Sequence, residues 1–254
     1  MTTGIPAGAR RRLTRLAFFA LPLLAAGCAN LAPAPDYAAI VAAPDRPAAD
    51  RPIDARRRQP QLLAYTGARP GMRVLDLDAA AGYTTELLAR GVGPTGVVYA
   101  QDSKGQMERA RLRMDERMKT PAMANVVRVV REYDDPVPPG AAPLDLVTFF
   151  FGYHDLANTA VDRAAMNRRL FEAVRPGGVV VVADHSARAG AGTTVSKTLH
   201  RIEESVIRRE LEAAGFRLVA EGGFLRNPDD PRDTLVFRSP VPVDEFVLKF
   251  EKPR

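Results

Sequence analysis

Only three histidines occur in the 254-residue chain, and two of them stand where apolar runs stop. Residues 144–151 lead into Gly152-Tyr153-His154-Asp155, and residues 179–183 lead into Asp184-His185-Ser186. Each of these imidazoles has a carboxylate beside it in sequence. An imidazole near its ordinary pKa takes or gives a proton at neutral pH, and a carboxylate can fix its orientation. His154 or His185 is therefore a candidate base, with Asp155 or Asp184 orienting it. The third histidine, His200, precedes Glu203 and Glu204 at the three- and four-residue spacing that brings helical side chains together. The plainer alternative is that all of these are strand-end residues satisfied by loop hydrogen bonds.

Such residues act together only if the strands that carry them lie side by side, and the rest of the chain is patterned for that. Apolar runs at 72–77, 97–100, 125–130, 144–151 and 179–183 have the length and β-branched content of buried strands. Amphipathic stretches at 84–90, 103–119 and 161–174 read as the helices between them, and 195–214 as a later one. Residues 216–220, 235–237 and 246–250 are late strand candidates. Alternation of this kind predicts an α/β fold, a doubly wound and mostly parallel sheet with helices on both faces. Ligands then bind beyond the carboxyl ends of the strands, where His154 and His185 are expected.

Residues 71–102 carry the clearest chemistry. A strand is followed by the small residues Asp78-Ala79-Ala80-Ala81-Gly82, a helix that Thr84 and Thr85 are placed to cap, and a second strand ending at Gln101-Asp102. A small-residue loop lets backbone approach a nucleoside, and an acid about 20 residues on takes its ribose hydroxyls. Nearby, Gly91-Val92-Gly93-Pro94-Thr95-Gly96 spells a dinucleotide fingerprint, but it follows a helix and precedes a strand, the reverse of what that fingerprint needs.

The run V-L-D-L-D-A-A-A-G-Y-T-T-E-L-L-A, followed by G-P-T-G-V-V-Y-A-Q-D, resembles motif I and the second-strand acid of the class I S-adenosylmethionine-dependent methyltransferases. Arg175-Pro176-Gly177-Gly178 resembles the turn before the fifth strand in the same family, and the likeness extends over roughly residues 60–254. The resemblance implies a Rossmann-like sheet of seven strands closed by an antiparallel hairpin, with S-adenosylmethionine as cofactor. It makes Asp76 the leading acid of the loop and places Asp78, Ala80 and Gly82 at its three glycine positions. It gives Asp102 to the ribose and Asp134 to the adenine amino group. Asp78 and Ala80 depart from the family's glycines. A Cβ at a left-handed position costs about 1–2 kcal/mol, although aspartate tolerates it better than most residues.

On this resemblance the reaction is methyl transfer to an oxygen or nitrogen of a small molecule, with His154, His185, Asp155 and Asp184 as the catalytic set. Catechol-type relatives bind a divalent cation after the fourth and fifth strands, a placement that Asp155 and the Asp184-His185 pair resemble. Oxygen ligands would suit Mg²⁺ or Mn²⁺, whereas adding His154, His185 and Glu204 would favour Zn²⁺ or Fe²⁺. No short-spaced ligand motif supports a metal, so no metal ligand is assigned. A non-catalytic module that reuses the fold stays open beside the enzyme. A nicotinamide oxidoreductase is disfavoured by the loop spacing and the Arg-Pro-Gly-Gly turn.

Charge sets further bounds. The net +6 comes from 36 basic and 30 acidic residues, but Arg10, Arg11, Arg12 and Arg15 stand in the first 27 residues with no acid. Removing those four leaves 32 against 30, or +2, which does not suit a nucleic-acid binder. The arginines precede a short apolar stretch ending in Leu24-Ala25-Ala26-Gly27-Cys28, which resembles a bacterial lipobox. Residues 1–27 are expected to be a signal peptide, 28–50 a lipidated cysteine with an Ala/Pro-rich tether, and 51–254 the domain. That predicts a protein anchored at Cys28 on the periplasmic face of the envelope, with a small-molecule partner. Arg56-Arg57-Arg58 reads as a solvated face.

Overall fold

The computed structural model describes residues 1–4 and 32–254. The expected signal peptide and the Cys28 anchor lie outside the described residues. Residues Ala32–Arg254 form one compact unit. It begins with α1 (Tyr37–Ala42), α2 (Arg51–Arg56) and α3 (Gln59–Thr66). Then come β1 (Arg73–Leu77), α4 (Tyr83–Val92), β2 (Val97–Asp102), α5 (Lys104–Arg117) and β3 (Val126–Val130). The second half holds β4 (Leu144–Phe150), α6 (Tyr153–Leu156), α7 (Arg163–Ala173), β5 (Val174–His185), α8 (Ser196–Leu199), α9 (Glu204–Ala213), β6 (Arg217–Gly222) and β7 (Glu245–Glu251).

The seven strands form one sheet in the order β3-β2-β1-β4-β5-β7-β6. The pairs among β1 to β5 are parallel, and β7 runs antiparallel to both β5 and β6. This is the expected α/β architecture with its closing hairpin. Successive side chains of a strand point to opposite faces, and both faces of the central strands are covered. Leu75, Leu77, Val180 and Val182 enter one apolar core, whereas Val74, Val181 and Ala183 enter the other.

Several local expectations differ from the structure. The Thr84 and Thr85 side chains do not cap α4; its N-cap is Gly82, and Thr85 Oγ1 donates to Asp76 Oδ2 at 2.7 Å instead. The helix expected over 195–214 is broken into α8 and α9, because Ser186 bridges Ile202 between them. Residues 235–237 form no strand, and Val236–Arg238 is a 3₁₀ turn. The expected tether also ends earlier than residue 50. Val41 and Asp50 are buried, and Arg46 is enclosed, with 2.8 and 3.0 Å hydrogen bonds to Asp54. Arg117 of α5 bonds Asp50 at 2.8 Å and Glu86 of α4 at 2.5 Å. This buried network clamps the N-terminal helices to the first half of the sheet.

Candidate functional site

The loop after β1 follows the path that the glycine motif would take. Asp78, Ala80 and Gly82 all lie in the left-handed region, at φ 58°, 50° and 76°. Two side chains are thus carried where glycine is the unstrained choice. The loop is held from beneath by β2: Ala79 N donates to Gln101 O at 3.0 Å, and Ala80 N donates to Asp102 Oδ1 at 2.8 Å. Asp102 therefore faces the loop. Burial pushes its pKa up to about 7; the Ala80 hydrogen bond opposes this, and the Asp78 and Asp76 charges add to it.

Asp76 is buried within β1, where it accepts from Thr85 and Thr148, each at 2.7 Å. Burial pushes it up to about 6 against those two hydrogen bonds. Its contacts tie α4 and β4 to β1, so within the described residues it holds the loop. Asp78 accepts from Tyr133 Oη at 2.8 Å. Its other oxygen faces Gly152 so closely that a Cβ added there would fall 2.5 Å from it. Burial raises the Asp78 pKa, with the Tyr133 hydrogen bond opposing. Asp134, the expected adenine contact, is exposed on the loop after β3, while its neighbour Tyr133 turns inward. Tyr133 was not legible from sequence.

The histidine rim is built across strands. Because β4 and β5 pair in parallel with Phe150 opposite Ala183, the residues after each strand end side by side. Asp184 is fully buried and serves His154: its carboxylate lies 2.7 Å from His154 Nδ1 and accepts the His154 backbone N–H at 2.9 Å. It also accepts the backbone N–H of His185 at 2.8 Å. His154 Nε2 is 3.3 Å from Asp155 Oδ1 and 3.2 Å from His200 Nδ1. Burial works against a charged His154. The Asp184 charge and the hydrogen bonds to Asp155 and Asp184 outweigh it, pushing the imidazole up to about 10.

His185 packs its ring on Phe151, 5.1 Å between centroids, with Nδ1 3.0 Å from Glu245 but off the angle of a hydrogen bond. His200 reaches the rim by another route than expected. It ends α8 with a left-handed backbone, φ 53°, and Glu203 and Glu204 turn elsewhere. Glu203 accepts from Gly192 N and Ser205 Oγ, and Glu204 pairs with Arg226.

His154, His185 and His200 face a cavity of about 640 Å³, whose other walls include Phe224, Phe237 and Arg57. Arg57 overturns the expectation of a uniformly solvated arginine face. Arg56 and Arg58 are exposed, but Arg57 Nε is shut off from solvent without a hydrogen-bond partner among the described residues. Its guanidinium lies 4.2 Å from the Phe151 ring centroid and 5.5 Å from that of Tyr83. Burial and the neighbouring Arg56 push its pKa down to about 10. No sequence signal separates it from its two neighbours; the break between α2 and α3 does.

The fold and part of the sequence have known counterparts. No protein-family profile matches the chain. It is 32% identical over 124 residues to the ubiquinone/menaquinone biosynthesis C-methyltransferase UbiE of Shewanella pealeana, a match covering 49% of this chain and 47% of that protein. The chain thus spans about half the length of the curated relatives it matches. A SAM-dependent methyltransferase structure from Aquifex aeolicus superposes with a TM-score of 0.56 at 20% identity, covering 76% of this chain and 88% of that one. The putative methyltransferase from a Haloferax volcanii complex with the Trm112 activator gives 0.58 at 17% identity, covering 82% and 94%. The protein has the Rossmann-like fold of the S-adenosylmethionine-dependent methyltransferases.

Proposed function

We propose that the protein transfers the methyl group of S-adenosylmethionine to a nucleophilic atom of a small molecule held in the cavity beside β4 and β5. The supporting observation is that the nucleoside-type loop and the histidine rim meet at Gly152, between Asp78 and His154. Methyl transfer needs donor and acceptor aligned about 3 Å apart and a destination for any proton released. The cofactor supplies a carbon activated by its sulfonium. The chain supplies Asp102 for the ribose hydroxyls, the left-handed loop for close backbone approach, and Asp134 for the adenine edge. Asp76 holds that loop in place.

The acceptor is an oxygen or nitrogen nucleophile whose proton passes to His185 in the rim, with His154, held by Asp184 and Asp155, as the charged neighbour that orients the site. A carbon nucleophile is the variant suggested by the name of the relatives. Arg57, a cation without a carboxylate partner among the described residues, favours an acceptor that carries negative charge. We also infer a lipid anchor at Cys28, which loss of membrane association in Cys28→Ser would support.

Asp78 favours a second reading, a non-catalytic envelope module. Its carboxylate bridges from the loop to Tyr133 across the carboxyl end of the sheet, where the cofactor's methionine end would lie. Calorimetric titration of the full chain with S-adenosylmethionine and S-adenosylhomocysteine separates the two. Micromolar binding, with none for NADH, supports the enzyme. No heat at millimolar cofactor supports the module.

A further inference from the structure

We propose that His154, Asp155 and His200 bind one divalent transition-metal ion of the zinc type at the wall of the cavity. The site shares His154 and Asp155 with the rim proposed for methyl transfer and in that sense rests on that reading, but it would bind its ion whether or not a nucleoside occupies the loop after β1.

The first ground is the shape of the donor set. His154 Nε2, His200 Nδ1 and Asp155 Oδ1 form a nearly equilateral triangle with edges of 3.2, 3.3 and 3.3 Å. Its circumradius is about 1.9 Å, so an ion at about 2.0 Å from all three corners completes a tetrahedral face, the zinc distance to nitrogen and oxygen. Octahedral geometry on the same triangle needs bonds of about 2.3 Å, longer than magnesium accepts. Two imidazoles and one carboxylate also select zinc, iron or cobalt over the hard cations.

The second ground is the support behind the triangle. A ligating imidazole ordinarily gives its other ring N–H to a carboxylate, which fixes the tautomer and raises its basicity. Asp184 does this for His154 at 2.7 Å, and two backbone N–H groups fix the Asp184 carboxylate in turn. His154 Nε2 is thereby aimed at the triangle. Two ring nitrogens and a carboxylate oxygen this close repel through their lone pairs unless a cation or a shared proton lies between them.

The third ground is access. His154 is buried, but Asp155 is exposed and His200 partly so, and all three line the cavity. The fourth coordination position therefore faces the space where a small molecule would bind. His200 holds its corner at φ 53°, a left-handed backbone that costs a non-glycine residue about 1–2 kcal/mol. Strain of this kind persists where surrounding structure enforces it, often at functional sites. His185 and Glu204, both plausible ligands from sequence, lie outside the set because Glu245 and Arg226 engage them.

The test uses the full chain, stripped with chelator and titrated with ZnCl₂ against a chromogenic chelator, and with CoCl₂ followed by absorption. The expected result is one ion per chain at micromolar or tighter affinity, with the visible bands of four-coordinate cobalt. His200→Ala and Asp155→Asn should each weaken binding at least tenfold, while Glu204→Gln leaves it within twofold. Circular dichroism and S-adenosylhomocysteine titration of each variant report folding and the cofactor site separately. A chain that binds neither ion stoichiometrically, or one whose affinity ignores His200→Ala, overturns the site and leaves a shared proton at the triangle.

Discussion

Asp102→Asn should make the protein more stable at alkaline pH while damaging its cofactor site. An unperturbed aspartate titrates near 3.9, and Asp102 is pushed up to about 7 in the fold. A buried carboxyl with a raised pKa favours the fold most when neutral. Its contribution is fully present below about pH 4, shrinks as pH rises, and is lost above about pH 7. At about 1.4 kcal/mol per pKa unit, the full swing is at most about 4 kcal/mol. Asp76 and Asp78 lie beside it, both with pKa values raised by burial, and share part of that swing, so about 2–4 kcal/mol over the full range is expected from this group. Asparagine keeps an oxygen to accept the Ala80 N–H, so the loop support survives. Urea unfolding at pH 5, 6, 7 and 8 covers the upper part of that swing, so the wild type should lose stability toward pH 8 and Asp102→Asn should lose about 1–2.5 kcal/mol less. Parallel curves for the two proteins, or a variant less stable than wild type at pH 8, would refute this. Cofactor affinity should fall at least tenfold in the variant, because a neutral amide replaces the charged ribose acceptor.

Arg46→Met should destabilise the protein by about 1–3 kcal/mol in denaturant unfolding, because Asp54 loses its bidentate partner and keeps only Arg51 and the Tyr83 hydroxyl, while Asp50 keeps Arg117; a cost under 1 kcal/mol would show the clamp to be dispensable. Arg57→Met should raise Tm, since it replaces a partly buried, unpartnered cation with an apolar chain against Phe151, and should weaken binding of carboxylated acceptor candidates. A lower Tm would mean the cation–aromatic contact outweighs the burial cost. Asp78→Gly trades left-handed strain of about 1–2 kcal/mol against the lost Tyr133 hydrogen bond of about 1 kcal/mol. Stability should therefore stay near wild type, while S-adenosylmethionine binding tightens several-fold. Weaker binding would make the Asp78 carboxylate a cofactor ligand instead of an obstruction.

Much of the fold was legible because local pattern and topology agree. The short continuous apolar runs, the small-residue loop and Asp102 at a strand end each point to a parallel sheet binding ligand at its carboxyl edge. The loop path was legible despite its side chains: Asp78 and Ala80 keep the left-handed backbone that glycine would adopt. The histidine rim was legible in position and, for Asp155 beside His154, in one pairing. Sequence neighbours also suggested Asp184 with His185, whereas strand register carries the Asp184 side chain across to His154. His200 was expected to converge with two glutamates on one helix. The Ser186–Ile202 bridge breaks that helix and delivers the imidazole to His154 instead. Arg57, Tyr133 and the Arg46 network depend on long-range packing, and no spacing in the chain encodes them.

The most direct measurement is a crystal structure of the full chain with S-adenosylhomocysteine. The account predicts nucleoside density against the Ala80 backbone, with both ribose hydroxyls on the Asp102 carboxylate and the thioether end directed past Gly152 toward His154. Density elsewhere, or a loop still crossed by Asp78 on Tyr133 with the nucleoside excluded at saturating ligand, would contradict it.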